Sequence, residues 1–195
     1  MQIGGAYPQA VHRIAVAAIV IGAALIAPSA YALKPAPIPA AGSVQYAFTP
    51  GDRADEVIID AIAGAREQVL VQAYSFTHRQ IAEALIKAQR RGVEVTVVAD
   101  REQAAQDVRG MVPVVARAGV SVLLDSEHAL AHNKIMLIDP RNARCAVITG
   151  SYNFTQAAQF RNAENVLVLR DNPVLCEAYR RNWEQHRAHA IPLPH

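Results

Sequence analysis

Two short apolar runs constrain this chain more than anything else in it: Ile135-Met136-Leu137-Ile138 and Ala146-Val147-Ile148-Thr149, the first entered through His132-Asn133-Lys134 and the second left through Gly150-Ser151-Tyr152-Asn153. Continuous apolar runs of this length, rich in β-branched residues, read as strands buried on both faces. Side chains two apart on an extended chain share a face, so the imidazole of His132 and the ammonium of Lys134 point the same way. Ser151 and Asn153 are paired by the same rule, and Gly150 lets backbone approach a neighbour closely. An imidazole, a fixed cation and two hydrogen-bond donors are the groups that attack on a phosphodiester requires. Asp139, five positions beyond Lys134, has the opposite parity and lies at the strand's end, where it is expected to brace the site without touching substrate.

The rest of the chain alternates strands and helices. Val44 to Phe48 reads as a strand, Asp52 to Ala65 as a helix with acidic residues in its first turn, and Gln68 to Ser75 as a strand. His78 to Arg91 reads as an amphipathic helix stopped by Gly92, with Thr77 as its N-cap. A strand over Val93 to Ala99, a helix interrupted near Pro113 and ending about Ala118, and a strand over Val120 to Leu124 precede the two motif strands. A short helix after Thr155, a strand over Asn165 to Leu169 and a helix from about Pro173 to His189 complete the pattern. The expected class is α/β, a mixed β-sheet flanked by helices on both faces.

These motifs resemble the phospholipase D superfamily, whose signature is HxK, four residues and Asp, followed by GSxN. Similarity to the small single-motif bacterial endonucleases of that superfamily extends through Ala73-Tyr74-Ser75-Phe76-Thr77, Arg91-Gly92-Val93-Glu94-Val95, Asn153-Phe154-Thr155 and Glu164-Asn165, and covers the chain from about Val44 to Trp183. One departure stands out: Pro140 to Thr149 separate Asp139 from Gly150 by four residues more than the usual spacing. An even insertion shared between two strands of a hairpin keeps every side chain on its face.

The resemblance implies a metal-independent phosphodiester hydrolase, most simply a non-specific endonuclease acting on DNA or RNA through a phosphohistidine, with His132, Lys134, Ser151, Asn153, Glu164 and Asp139 as the catalytic set. Lys134, Ser151, Asn153 and Arg161 would bind substrate, and Glu164 would orient His132 through the ring nitrogen that does not attack. The chain carries one HxK and no internal repeat, so the resemblance implies a homodimer with the active site at its two-fold interface. The alternatives are a phospholipase D-type lipid hydrolase and a noncatalytic phosphate or nucleic-acid binding module. No cofactor is implied. CxxC and HExxH patterns are missing, so no metal site is expected. His186 and His189 read as a solvated tail and His128 as an ordinary loop residue.

Residues 1–32 read as a signal peptide. His12 and Arg13 precede an uncharged stretch from Ile14 to Ala27, and Ala30-Tyr31-Ala32 has the small-x-small pattern of a cleavage site. The stretch is shorter than the ~20 apolar residues that span a bilayer. The expectation is cleavage after Ala32, with no stable membrane insertion afterwards and a periplasmic or secreted product; an uncleaved anchor is the alternative. Residues 33–43 form a Pro-rich lead-in and 44–190 one catalytic domain; the whole chain is 52% hydrophobic, enough to fill a core. The leader holds one Arg and no acid, which leaves 18 basic against 17 acidic residues and a net charge of +1. Any basic surface is therefore local. In an oxidising compartment Cys145 and Cys176 can form a disulfide or remain two buried thiols, and the sequence leaves both open.

Overall fold

The expected strands and helices form, and the order of the strands determines which polar residues meet. The computed structural model describes residues 1, 2, 4 and 34–194, so most of the expected leader lies outside the described residues. Among the described residues no helix is long and apolar enough to cross a membrane. From Pro37 onward the chain is one unit. It contains β1 (Ser43–Thr49), α1 (Ala54–Ala63), β2 (Gln68–Ala73), α2 (Arg79–Arg90), β3 (Glu94–Asp100), α3 (Arg101–Gln106), α4 (Val112–Arg117), β4 (Ser121–Asp125), β5 (Lys134–Ile138), β6 (Ala146–Gly150), α5 (Gln156–Phe160), β7 (Glu164–Arg170), α6 (Pro173–His189) and β8 (Ile191–Pro192). The eight strands make one mixed sheet in the order β1-β7-β6-β5-β2-β3-β4-β8. β2, β3 and β4 run parallel, joined by helical crossovers, and the remaining pairs are antiparallel.

Strand alternation builds two cores. Val69, Val71, Met136, Ile138, Ile148, Val166 and Val168 face α1 and α2, which contribute Ile58, Ile62, Ile81 and Leu85. Leu70, Val98, Ile135, Leu137 and Val147 face the other way, onto Cys176 and Trp183 of α6. Trp183 satisfies its indole N–H by donating to Val71 O at 3.0 Å. Helices therefore cover both faces, but α6 stops short of the β7–β1 end of its face. Val44, Tyr46 and Phe48 remain 60, 64 and 58% exposed there, beside Leu167.

Some boundaries differ from expectation. The helix expected to be interrupted near Pro113 is two short ones, and the break falls before Pro113, which sits in the first turn of α4, where its missing N–H costs nothing. The N-cap of α2 is His78, not Thr77, because the amides of both residues donate to Phe154 O and hold this segment extended. β8 was not expected. Two residues carry too little periodicity to be read as a strand.

The inserted residues lie in the β5–β6 turn, where Asn142 N donates to Asp139 O and Cys145 N to Asn142 O. The open question of the cysteines resolves as a disulfide between Cys145 and Cys176, with Cα atoms 6.5 Å apart, which pins α6 to the sheet. With 31 residues of sequence separation, this link stabilises by about 3–4 kcal/mol on a chain-entropy basis. The double substitution Cys145→Ser, Cys176→Ser is expected to lower Tm by roughly 10 °C in a calorimetric melt. An unchanged melt would show that the bridge contributes nothing.

Candidate active site

Antiparallel pairing of β5 with both β2 and β6, and of β6 with β7, gathers the starts of β5 and β7 and the ends of β2 and β6 at one edge of the sheet. Lys134 pairs with Ala73, and Gly150 with Val166. The β5–β6 register, with Met136 opposite Ile148, carries Lys134 to a position opposite Gly150. The four extra residues lie at the other end of this hairpin and leave that alignment untouched.

His132 lies in the coil just before β5 rather than within the strand, yet its ring and Lys134 still converge. Lys134 Nζ is 2.8 Å from His132 Nδ1 and donates to His132 O at 2.6 Å. Tyr74 supports both: its ring centroid is 4.3 Å from that of His132, and Lys134 Nζ lies 5.0 Å from its centroid, within cation–π range. The imidazole is exposed while Lys134 is buried. Burial lowers the ammonium pKa below that of an ordinary lysine, and the nearby Glu164 carboxylate opposes the shift. With a charged Lys134 donating to Nδ1, a neutral ring carries its proton on Nε2. Attack through Nε2 needs the other tautomer, which becomes available when Lys134 turns its ammonium toward a substrate phosphate.

Ser151, Tyr152 and Asn153 alternate in direction. Tyr152 is buried, with its hydroxyl donating to Gln159 Oε1 at 3.3 Å, and Ser151 faces outward. Ser151 Oγ accepts from Asn165 N at 3.1 Å and Asn165 Nδ2 at 3.2 Å, which leaves its own proton free to donate to an incoming oxyanion. Gly150 makes this possible. At φ 152° its backbone passes so close to β7 that a Cβ would lie 2.1 Å from Asn165 O. Asn153 is half-buried, and its Oδ1 is buried without a hydrogen-bond partner. It lines a polar cavity of about 350 Å³ with Ser75, Thr77, Arg109 and Arg161. Arg161, expected from sequence to bind substrate, lines this cavity with Asn153. Tyr74, Ser75, Thr77, Arg109 and Asn165 were not named as site residues, although four of them stand in segments that carry the family resemblance.

Two members of the expected catalytic set sit differently. Asp139 occupies the opposite end of β5, roughly 15 Å from Lys134 at ~3.3 Å per residue. Its carboxylate accepts from the amides of Arg66, Glu67 and Gln68 at 2.8–3.0 Å, so it fixes the entry of β2 and belongs to no catalytic cluster. Glu164 is at the right edge, but within one subunit it does not orient His132. Lys134 occupies the Nδ1 side, and Glu164 Oε1 accepts from Asn162 Nδ2 at 3.1 Å. The expected solvated tail is also corrected: His186 and His189 are half-buried and, with His128, converge on the buried Asp125.

Comparisons with known proteins bear on the family and the fold. Residues 58–187 match the family described as cardiolipin synthase, PLD-like domain. A protein named phospholipase D from Rickettsia bellii (strain RML369-C) is 40% identical over 145 residues, 74% of this chain and 69% of the relative. Human mitochondrial cardiolipin hydrolase is 30% identical over 138 residues, 69% of this chain and 53% of the relative. Among solved structures, Nuc from Salmonella typhimurium, a phospholipase D family member, aligns with a TM-score of 0.73 at 30% identity, over 78% of this chain and 99% of its own. NucT from Helicobacter pylori shares the fold, with a TM-score of 0.66 at 22% identity over 77% of this chain and all of its own.

Proposed function

This chain belongs to the phospholipase D superfamily and is a phosphodiesterase, and from that premise we propose that it is a dimeric, metal-independent endonuclease that cleaves DNA or RNA with little sequence preference. The observation that carries the substrate choice is the cavity next to Asn153. Its walls carry hydroxyls, amides and the two guanidinium-bearing residues Arg109 and Arg161, with one carboxylate, Asp107, and one methyl, Ala157, among them, a lining that suits a sugar–phosphate chain better than an acyl chain.

In this reading Nε2 of His132 attacks phosphorus and forms a P–N bond as the bond to the leaving oxygen breaks. His132 of the partner subunit gives its proton to that oxygen. It then takes a proton from water, whose oxygen attacks phosphorus and breaks the P–N bond. Lys134, Ser151 and Asn153 hold the nonbridging oxygens, and the ammonium supplies the positive charge that the transition state needs. One imidazole cannot stand on both sides of phosphorus, so the reaction needs two copies. The uncovered apolar strip of Val44, Tyr46, Phe48 and Leu167 supports a dimer that joins the two sites, because Phe48 pairs with Asn165, the residue that holds Ser151. Export after removal of residues 1–32, to the periplasm or beyond, is part of the same reading and is supported by the Cys145–Cys176 bridge.

The same apolar strip, together with relatives named for lipid substrates, favours a second reading as a lipid hydrolase. Incubation of the mature protein with plasmid, single-stranded DNA, RNA and vesicles of phosphatidylcholine or cardiolipin, each with and without EDTA, separates the two. The expected result is cleavage of nucleic acid that persists in EDTA. Turnover of lipid alone would replace the first reading with the second, and turnover of nothing would leave a binding module.

A further inference from the structure

We propose that Asp125, His128, His186 and His189 form a four-ligand site for one divalent transition-metal ion of the zinc type, separate from the phosphodiester chemistry. The four residues come from three places in the chain: the last position of β4, the loop that follows it, and the last turn of α6. One ligand atom from each lies within 4.8 Å of all the others. His186 Nδ1, His128 Nδ1 and His189 Nε2 stand 2.9, 3.1 and 3.2 Å from the same oxygen, Asp125 Oδ2. Ligand atoms on a tetrahedral zinc ion with bonds of ~2.0–2.1 Å are about 3.3–3.4 Å apart. The carboxylate-to-imidazole distances need only a small expansion to admit the ion, and the other ligand atoms, all within 4.8 Å of one another, close around it by side-chain adjustment.

Hydrogen bonding accounts for His128 and His186, whose Nδ1 atoms bond to Asp125, but not for His189. Asp125 Oδ1 also accepts from Glu127 N at 3.1 Å. His189 is the decisive member. Its Nδ1 lies 3.1 Å from Glu127 Oε2, close enough for that carboxylate to hold an Nδ1 proton once a metal occupies Nε2. That Nε2 is buried, 3.2 Å from Asp125 Oδ2, yet is aligned for no hydrogen bond. A cation between this nitrogen and Asp125 Oδ2 would give both a partner. A carboxylate behind a histidine, turning the other ring nitrogen toward a metal, is the usual support for such a ligand. Three imidazole nitrogens and one carboxylate oxygen suit zinc-type ions better than calcium or magnesium.

Four protein ligands leave no open position, so the ion would be structural. It would tie the end of α6 to the end of β4, beside the β4–β8 pairing of Leu124 with Ile191, and to the loop that runs from His128 to His132. Sequence spacing conceals the site because Asp125 and His186 are 61 positions apart.

The test uses the mature chain without an affinity tag, stripped with EDTA, dialysed, and titrated with zinc(II) by calorimetry and with cobalt(II) by visible absorption. Expected are one zinc per chain, the ligand-field bands of tetrahedral cobalt, and a Tm raised by roughly 5–10 °C at a hundredfold excess over Kd. His186→Ala with His189→Ala should weaken zinc binding by about a hundredfold or more and abolish the cobalt bands. Nuclease turnover at low temperature should stay within about twofold. If that double variant does not fold, His128→Ala in the exposed loop takes its place. Weak binding of several ions per chain, octahedral cobalt alone, or affinity unchanged in the variants would overturn the proposal and leave an imidazolium cluster neutralised by Asp125 and Glu127.

Discussion

His132→Ala is expected to reduce kcat by roughly 10⁴-fold or more while the protein still folds and still binds nucleic acid. The side chain is exposed, and its contacts are the Tyr74 ring and Lys134, so its removal opens no cavity in either core. The kinetic loss is large because a symmetric dimer doubles the change: nucleophile and proton donor vanish together. A positioned acid or base alone is worth about 10²–10⁴-fold, and loss of the attacking atom removes the covalent route altogether. Cleavage of a labelled oligonucleotide, measured with a thermal melt and a binding isotherm on the same sample, checks each part. Turnover within tenfold of the unaltered protein would refute the role of the imidazole.

The second large effect is expected from Tyr46→Glu combined with Phe48→Glu. Both side chains project from the outer face of β1, 64 and 58% exposed, so neither substitution disturbs the core. Buried in a two-fold interface, each aromatic would contribute on the order of 2 kcal/mol at ~25 cal/mol per Å² of apolar area. Glutamates would instead oppose like charges across the symmetry axis. Light scattering should show a folded monomer, with activity reduced about a hundredfold or more and partly regained at high protein concentration. A monomer as active as the unaltered protein would mean that one subunit suffices, and the two-imidazole mechanism would fail.

Much of this molecule could be read from its residues because the sheet is written in a plain code. Runs such as Val69-Leu70-Val71 and Ile135 to Ile138 are buried on both faces, and α2 announces itself through Ile81, Leu85 and Ile86. The convergence of His132 on Lys134 was expected from strand parity, and the structure brings the two together although His132 lies in coil; strand register then carries Lys134 opposite Gly150, next to Ser151. What escaped depends on contacts that no local pattern records. The partner of His132 Nδ1 turns on where Lys134 swings, and the spacing of Glu164 from the motif does not reveal that. The four residues around Asp125 meet only because α6 crosses the sheet and ends above β4. Asp139 was expected to brace the site, and it braces the entry of β2 instead.

That last placement divides the sheet into two poles. At one pole a carboxylate clamps three amides and a cystine rivets the turn to α6; at the other, the reactive groups gather on a rim fixed by strand register. The segment around Arg141 to Arg144 is consequently the place where this scaffold can lengthen, carry a fluorophore or accept a fused partner, with the chemistry at the far rim shielded from the change by the full length of a strand.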